Sequence, residues 1–493
     1  MQDRRPTDLR DREADDDWEK TPTRSESVNY LIAALAAVMA ATLARVYLGG
    51  RIGLGDAEAY YYAWSRHLDF SYYDHGPGIA YLIGLGTRWL GDTLLGVRVL
   101  SIAASAATAL MIYLFGALLF SSRRTGLLAT LLFVVSPVFF IGGAAAAPDA
   151  VFGLLWLVAA WFLFQAVQRN RPEPLVPMGI VVGLGLLCKY FMILFWPAAL
   201  LYLLFGRGRR MLFSLHWVVG IIASLLIFSP VLYWNFGHDW ASFLYHLSER
   251  HTDAALSSDR LLKFLAGQAL YLSPPLALGL LLAIARSLGN MLQSRGRDAH
   301  LPFWLSAPVL GFFFLVGAWT PDSEPHWPLA GYLLLFPVLA HWLASLDDQL
   351  PGPLTKLVLL GPLAPLFRPS MKTLLLGWLI VPALLIDALL VLHLRTDLAY
   401  SRLPDAAIQP RLDISNELRG WDQAGEETVK LAGELGPGTF AASYHYTMCG
   451  QLAFAVKERL PVACLSRRTD AFDFFGEQDW RGKDAVFVTD NRY

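Results

Sequence analysis

Charged residues are scarce in this chain. Asp, Glu, Lys and Arg make up 16% of its 493 residues, whereas 55% are hydrophobic. A soluble domain carries closer to ~25% charged residues. The few charges cluster between apolar runs of about the ~20 residues that cross the hydrocarbon core of a bilayer. The composition excludes an ordinary soluble domain and indicates a polytopic α-helical membrane protein.

Cysteines and nucleotide-binding motifs are also scarce. The three cysteines, Cys188, Cys449 and Cys464, are too few for a disulfide framework. We expect them to be unpaired, although Cys449 and Cys464 would be free to pair in an extracytoplasmic segment. The sequence has no P-loop, GxSxG elbow, HExxH helix or Rossmann fingerprint. Energy coupling by a nucleotide is therefore not expected, and we expect no nucleic-acid partner.

Apolar runs of spanning length follow one another along the chain and predict about eleven crossings. Residues 1–27 alternate Arg with Asp and Glu and predict a disordered cytoplasmic tail. Residues 28–395 form the predicted membrane domain. Its apolar runs lie at 29–49, 96–120, 126–142, 150–168, 176–189, 190–206, 211–233, 264–289, 302–319, 328–346 and 373–395.

The orientation follows from the basic residues of the short loops. With the N-terminus inside, the clusters at 123–124, 169–171, 206–210 and 286–297 all fall on the cytoplasmic side. This arrangement requires that 78–91 lies along the outer surface as an interfacial helix, within a first outer loop at 50–95. It also predicts a large outer loop at 234–263. By the same reasoning, 353–369 is a cytoplasmic surface or re-entrant segment.

Most other polar residues of the membrane domain fall on the predicted outer side. They are independent support for a site there, because the orientation was inferred from the basic residues of the short loops alone. Each of the five outer segments has a simpler interpretation, such as an aromatic belt, a helix N-cap or a snorkelling lysine. All five together favour a site at the bilayer surface. The segments contain Asp56 to His75, Pro148-Asp149, Lys189-Tyr190, Trp234 to His251 and Pro321 to Trp327.

The composition changes after the last apolar run. Residues 396–493 combine a polar helical stretch near 415–435 with short apolar strands at 438–446, 461–466 and 484–490. Strands that alternate with helical pattern predict a small α/β domain. An odd number of crossings places this domain outside.

Acids and cations beside aromatic rings at a membrane face suit glycosyl transfer from a lipid-borne donor. A carboxylate would take the proton of the acceptor hydroxyl, and cations would stabilise the departing phosphate. Asp56 or Glu58 could be the base. Lys189, Arg250 and protonated histidines could hold the phosphate.

The pattern E-A-Y-Y-x-x-W-S-x-x-L-x-x-x-Y-x-D-H-x-P, from Glu58 to Pro77, resembles the first outer loop of the polyprenyl-phosphate-sugar glycosyltransferases. These belong to the glycosyltransferase-C superfamily and are related to protein O-mannosyltransferases and lipid A aminoarabinose transferase. Further matches are Arg98, Ser136-Pro137, Pro148-Asp149, Lys189-Tyr190, W-N-x-x-H-x-W-x-S-F from Trp234 to Phe243, E-x-H-W from Glu324 to Trp327, and S-Y-x-x-x-x-x-x-L-A-F from Ser443 to Phe454.

The resemblance implies an inverting hexosyl- or pentosyltransferase of the bacterial inner membrane. Its donor would be a polyprenyl-phosphate monosaccharide, and its acceptor would be a lipid such as lipid A, a glycan or a protein. Membrane lipids would be further partners of the protein. The residues expected to bind the donor phosphate or sugar are Tyr60, Tyr61, Asp74, His75, Asp149, Lys189, Tyr190, Asn235, His238, Arg250, Glu324 and His326.

Two positions depart from the family pattern. The family usually reads D-E-A-Y-Y, but Ala57 stands directly before Glu58 and the acid comes one place earlier, at Asp56. A turn of the helix could bring Asp56 to the family position, or Glu58 could serve as the base instead, and we favour Asp56. Gly76 replaces the first proline of D-H-P-P. Some relatives bind a divalent metal near this loop. Mg, Mn or Zn is therefore a possible cofactor here, with candidate ligands Asp56, Asp74, His75 and His326.

Two other classes of protein also fit a polar site in a membrane. A transporter or flippase of lipid-linked sugars usually has mid-membrane charges and internal repeats, whereas this chain has its charges at one face and no repeat. A scaffold protein with a degenerate site is compatible with Ala57, but the acids at Asp56, Glu58, Asp74 and Asp149 argue against it.

Overall fold

The structure is a computed structural model. It describes residues 24–247, 254–293, 300–346, 370–396, 413–476 and 479–490, without the side chains of 24–27 and Ile414. The predicted tail up to residue 23, the segment 353–369 and Arg250 lie outside the described residues.

Helices form over all eleven predicted apolar runs. Two helices of the first outer loop, α2 and α3, come between the first two runs, and α3 covers the predicted interfacial segment. The helices of the membrane domain are α1 (Arg24–Gly49), α2 (Asp56–Arg66), α3 (Gly78–Leu90), α4 (Leu94–Leu119), α5 (Arg123–Val134), α6 (Pro137–Ile141), α7 (Pro148–Arg169), α8 (Leu175–Cys188), α9 (Phe195–Phe205), α10 (Leu215–Gly237), α11 (Ala241–Leu247), α12 (Ser258–Leu272), α13 (Pro274–Gln293), α14 (Leu301–Trp319), α15 (Leu329–Tyr332), α16 (Leu335–Ser345) and α17 (Met371–Arg395).

Seven of these helices are long and apolar enough to cross a membrane, and the chain is a multi-pass membrane protein. An eighth span is possible if α5 and the segment 137–144, which meet at 78°, cross together. Three further apolar segments, 175–188, 190–205 and 329–345, are shorter. The predicted count of eleven crossings is therefore not confirmed, although the helical fold is.

The apolar run at 264–289 does not form one helix. The chain leaves the helix at Ser273, where φ is 76°, and α13 starts at the two prolines that follow. Proline lacks an amide hydrogen and disfavours helical backbone at the preceding residue. The run is therefore divided between α12 and α13.

The C-terminal domain is α/β, as predicted. Its helices are α18 (Trp421–Leu435) and α19 (Tyr446–Val456), and its strands are β1 (Phe440–Ser443), β2 (Val462–Cys464) and β3 (Ala485–Phe487). The strands are parallel in the order β2-β1-β3. Cys449 and Cys464 form a disulfide, so the expectation that they are unpaired is wrong. Cys188 is free and buried.

The C-terminal domain packs directly on the first outer loop, through α19 and α2. Gly450 lies at this contact, where a Cβ atom would stand 2.7 Å from the backbone nitrogen of Tyr60. Any side chain there would push the two helices apart. The close approach places α19 against the helix that carries Asp56 and Glu58.

Candidate active site

Glu58 forms a buried ion pair with Arg98 at the start of α4. The Arg98 Nε and Nη2 atoms donate to the two carboxylate oxygens at 2.7 and 2.5 Å. The same guanidinium donates to the carbonyls of Gly49, Ile52 and Gly53. The pair therefore ties α2 and α4 to the end of α1.

Backbone amides complete the coordination of Glu58. Ala146 N donates to Oε1 at 2.7 Å and Gly55 N donates to Oε2 at 2.9 Å. Burial alone would raise the pKa of Glu58, but Arg98 and these two amides hold it below its ordinary value. A carboxylate whose two oxygens accept four hydrogen bonds from the protein is suited to holding loops in place.

Asp56 faces the C-terminal domain. Its Oδ1 accepts a hydrogen bond of 3.0 Å from Gln451 Nε2, and the residue is 7% exposed. Gln451 lies on α19 and also donates to the carbonyl of Leu54 at 2.8 Å. Neighbouring positions on a helix are turned by about 100°. Asp56 and Ala57 consequently face different surroundings.

Ala57 lines a cavity of about 260 Å³ that lies between α2 and the starts of α7 and α15. We call it the polar cavity. Asp56 is not among its described lining residues, whereas Ala57 occupies the position at which the family pattern has its aspartate. The polar side chains that line it are Tyr61, His75, Ser105, Thr108, Asp149, Lys189, Tyr271 and His326.

Asp149 and Lys189 form an ion pair in the polar cavity. Lys189 Nζ lies 2.6 Å from Asp149 Oδ1, and its side chain is 3% exposed. His326 Nε2 lies 3.9 Å from the other carboxylate oxygen. Asp149 is in the first turn of α7, after Pro148. Lys189 follows the end of α8 in extended backbone, so two helix termini bring the pair together.

Two polar residues of α12 support this cavity and were not predicted. Gln268 Nε2 donates to the carbonyl of Pro325 at 2.8 Å, which holds the turn that carries His326. Tyr271 lines the cavity itself. The sequence signal is a polar pair three residues apart inside an apolar run, which places both on one face of a helix.

A larger cavity of about 1020 Å³ meets the polar cavity, and we call it the apolar cavity. His75 and Lys189 line both cavities. Most of its other walls are aliphatic or aromatic side chains. They include Leu186, Tyr190, Phe191, Ile193, Leu225, Phe228, Leu232, Phe243, Leu256, Phe312, Leu315, Val316, Trp319 and Trp327.

Asp74 belongs to a hydrogen-bond network that joins the two domains through Tyr60. Tyr60 donates to Asp74 Oδ2 at 2.6 Å and accepts from the amide of Ala471 at 2.7 Å. Burial first, and then the charge of Asp74, hold the pKa of Tyr60 well above its ordinary value. His246 Nε2 lies 2.7 Å from the backbone carbonyl of Asp74. This network attaches the C-terminal domain to the first outer loop.

Asp470 lies beside this network and is buried. Burial, and then the nearby charges of Asp473 and Asp74, raise the pKa of Asp470 to about 7. Its Oδ1 accepts a hydrogen bond of 2.9 Å from the amide of Phe472. The Phe472 ring in turn packs on Tyr60.

The remaining predicted site residues are more dispersed. Tyr190 OH lies 3.2 Å from Ser71 Oγ and 3.0 Å from Ser242 Oγ. Asn235 is fully buried and donates to the carbonyl of Val231, which braces the end of α10. The structure does not bring the following residues into the polar cavity: His238, which stacks on Trp234, and Glu324, which is exposed.

The four candidate metal ligands are not brought together. No group of three or more His, Cys, Asp or Glu that could hold a metal occurs among the described residues. Asp56 is directed to Gln451, Asp74 to Tyr60, and His326 to Asp149. These residues do not fit a shared metal centre, and we derive no step through one.

Comparison with known proteins shows which glycosyltransferases the chain is similar to. Residues 74–234 match the family model described as dolichyl-phosphate-mannose-protein mannosyltransferase. The chain is 24% identical over 292 residues to a lipid A galacturonosyltransferase of Rhizobium johnstonii, which is 59% of this chain and 60% of that protein. It is 31% identical over 169 residues to an undecaprenyl phosphate-alpha-4-amino-4-deoxy-L-arabinose arabinosyl transferase of Pseudomonas aeruginosa, which is 33% of this chain and 31% of that protein.

Two solved structures share the fold over most of this chain. The ArnT protein of Cupriavidus metallidurans, bound to undecaprenyl phosphate, gives a TM-score of 0.61 at 15% identity, with coverage of 91% of this chain and 88% of that one. The archaeal oligosaccharyltransferase AglB of Archaeoglobus fulgidus gives 0.56 at 13% identity, with coverage of 90% and 65%. Identities this low indicate a shared fold.

The chain therefore shares the fold of these two structures, and its residues 74–234 resemble the mannosyltransferase family. The matched regions cover less than two thirds of the curated relatives.

Proposed function

We propose that the chain is an inverting glycosyltransferase that moves a monosaccharide from a polyprenyl phosphate to an acceptor. One observation carries this proposal: a buried cation, Lys189, stands where a large apolar cavity meets a small polar one. A polyprenyl-phosphate sugar has an apolar isoprenoid chain, an anionic phosphate and a polar sugar in this order. These three parts match the apolar cavity, Lys189 and the polar cavity.

In this arrangement the isoprenoid chain occupies the apolar cavity and the sugar occupies the polar cavity. The phosphate lies at the junction, where Lys189 and His75 line both spaces. Little water reaches Lys189, so its charge stabilises the developing phosphate anion more strongly than an exposed lysine would. Tyr61 and Tyr271 provide aromatic faces for the sugar.

The proton of the acceptor goes to the Asp149–His326 pair. Asp149 is the carboxylate among the described residues that line the polar cavity, and His326 Nε2 lies 3.9 Å from its Oδ2 atom. As the acceptor oxygen bonds to the anomeric carbon, its proton moves to this pair. The bond from the anomeric carbon to the phosphate oxygen breaks, and the electron pair leaves with the phosphate. This geometry favours the pair over Asp56 and Glu58 as the base.

The proposed site opens at the outer face of the bacterial inner membrane, with the C-terminal domain on the same side. The disulfide between Cys449 and Cys464 supports this side, because structural disulfides persist in oxidising compartments. Curated relatives are named for transfer to lipid A or from an undecaprenyl-phosphate aminoarabinose donor. We therefore propose an undecaprenyl-type donor and a lipid A-like acceptor.

The test is transfer by the purified full chain in detergent. Radiolabelled undecaprenyl-phosphate hexose, hexuronic acid and aminoarabinose are each incubated with a membrane extract as acceptor. We expect release of undecaprenyl phosphate from one donor and transfer of label to one glycolipid fraction. If no donor is consumed while labelled donor crosses proteoliposome bilayers, the chain is a transporter and the transfer proposal is overturned.

A further inference from the structure

A third cavity, of about 970 Å³, lies between the first outer loop and the C-terminal domain. We call it the domain cavity. Its walls are the end of α2, one face of α3, and the segment from the end of α19 through β2. The segment 472–476 and Trp480 close its remaining side. Its size is within the range of small-ligand sites in proteins.

Helix α2 separates the domain cavity from the proposed transfer site. Tyr61 lines the polar cavity, whereas the next residue, Tyr62, lines the domain cavity. The Asp149–Lys189 pair belongs to the first of these cavities. A ligand in the domain cavity therefore occupies a second site and does not meet the transfer chemistry there.

Aromatic rings surround the domain cavity on several sides. The first two rings are Tyr62 on α2 and Tyr81 on α3. The other three, Phe472, Phe475 and Trp480, come from the part of the chain that follows β2. Flat apolar faces combined with hydrogen-bonding groups suit a ligand that has both C–H faces and hydroxyl groups. A saccharide has this character.

Basic side chains make part of the rim. Arg88 and Lys457 line the cavity and are exposed. Arg66 also lines it and is held in position by Asp92 at 3.3 Å and by Thr87. The acidic lining residues are Glu458 and Asp473. Guanidinium and ammonium groups at a rim favour an anionic substituent, and Arg can bind phosphate through two parallel hydrogen bonds.

Apolar side chains are exposed beside the basic rim. Leu68 is 58% exposed and Leu85 is 41% exposed, and both line the cavity. Trp89, the neighbour of Arg88 on α3, is 62% exposed. A short helix that exposes aliphatic and Trp side chains next to arginine is typical of a membrane interface. The mouth of the cavity is therefore suited to acyl chains.

We infer that the domain cavity is an accessory binding site for the phosphorylated saccharide headgroup of a lipid, with the acyl chains alongside α3. Rings hold the sugar, Arg88 and Lys457 hold the phosphate, and Leu68 and Leu85 contact the first methylenes. The inference goes beyond the proposed transfer reaction, because binding at this site requires none of the residues of the polar cavity.

The experiment is photo-crosslinking to the full chain in lipid nanodiscs. The probe is a synthetic monophosphorylated, diacylated glucosamine disaccharide with a photoreactive group on one sugar. Two unlabelled lipids, described below, are added at increasing concentration as competitors. We expect cross-links in peptides that contain 81–88 or 457–463. The double variant Arg88→Gln/Lys457→Gln should weaken labelling about tenfold. Lys430→Gln, a change of an exposed lysine on α18 that does not line the cavity, should leave it unchanged.

Two competitors decide the chemical class of the ligand. The same glycolipid without its phosphate should compete at least several times more weakly, and so should phosphatidylglycerol, which has the charge without the saccharide. Equal competition by phosphatidylglycerol would overturn the saccharide assignment. Labelling that the double variant leaves unchanged would overturn the site. Labelling should persist in Asp149→Asn, and its loss there would assign the probe to the transfer site instead.

Discussion

The acids of α2 and the acid of α7 have opposite environments. Glu58 and Asp56 are bound to partners within the protein, the first by Arg98 and two amides and the second by Gln451. Asp149 is also paired, but its pair lines a cavity that a substrate could enter. An acid that is prominent in a motif can therefore hold the scaffold, while the acid that lines the polar cavity comes from a helix elsewhere in the chain.

The largest expected effect is on stability, from removing Arg98. Arg98→Met leaves Glu58 buried without its cation, which costs about 3–5 kcal/mol of unfolding free energy. The measurement is thermal unfolding in detergent. Arg459→Met removes the exposed partner of Glu426 and should cost no more than about 1 kcal/mol.

A second variant separates the charge from the packing at this pair. Glu58→Gln/Arg98→Met removes both charges and should recover part of the lost stability, because no unpaired ion remains. If the single and the double variants unfold at the same temperature, the role of the ion pair as the anchor of α2 is refuted.

Removing Lys189 should affect turnover more than folding. Lys189→Met deletes the cation at the junction of the two cavities, and we expect a loss of about 10²–10³-fold in transfer rate. Release of labelled polyprenyl phosphate is the readout. Lys263→Met changes an exposed lysine of α12 and should retain the full rate. Turnover within threefold of wild type in Lys189→Met would refute the proposed phosphate position.

The two aspartates give a direct comparison. Asp149→Asn should reduce transfer about 10²-fold, because it removes the carboxylate of the proposed proton-accepting pair. Asp56→Asn keeps the shape of the contact with Gln451 and should reduce transfer less than about tenfold. The rate of each variant is measured with saturating donor. The reverse order of the two effects would move the base to Asp56.

The smallest expected effect is the pH dependence of the contact between the domains. The folded pKa of Asp470 is about 7, above its ordinary value of 3.8, so the folded state binds a proton that the unfolded state releases. This contribution is present at low pH and is lost as the pH rises towards 7. We expect stability to fall by about 2 kcal/mol between pH 5 and 8.

The control for this pH dependence is Asp470→Asn, in which the group no longer titrates. Its unfolding temperature should change less between pH 5 and 8 than that of the wild type. A wild-type chain that becomes more stable over this range, with Asp470→Asn unchanged, would show that the pKa of Asp470 is not raised in the fold.

Hydropathy alone predicted where the helices and the three C-terminal strands lie, because bilayer-length apolar runs and short alternating strands are local signals. It could not predict the break at Ser273, because the run stays apolar across the two prolines that end the helix there. The disulfide depends on which segments α19 and β2 bring together, and no local pattern reports that distance.

Part of the candidate site could be predicted from the sequence for a similar reason. Asp149, Lys189 and His326 follow from outer turns between apolar runs, and the structure brings the three together. The partner of Glu58 is 40 positions away in sequence, and which of Asp56 and Ala57 faces the cavity depends on the rotation of α2. The pairing of Glu58 and the rotation of α2 both depend on tertiary packing, so they cannot be predicted from local patterns in one sequence.

Helix α2 is in effect a wall between two compartments. Side chains at successive positions line different cavities: Tyr61 lines the polar cavity and Tyr62 lines the domain cavity. A substitution at Tyr61 or Tyr62 alters one cavity. Inserting or deleting a single residue would instead rotate all the following side chains of α2 and change the residues that line both cavities. The acid that stands one place early in the motif, Asp56, is therefore turned away from the polar cavity and towards Gln451 of the C-terminal domain.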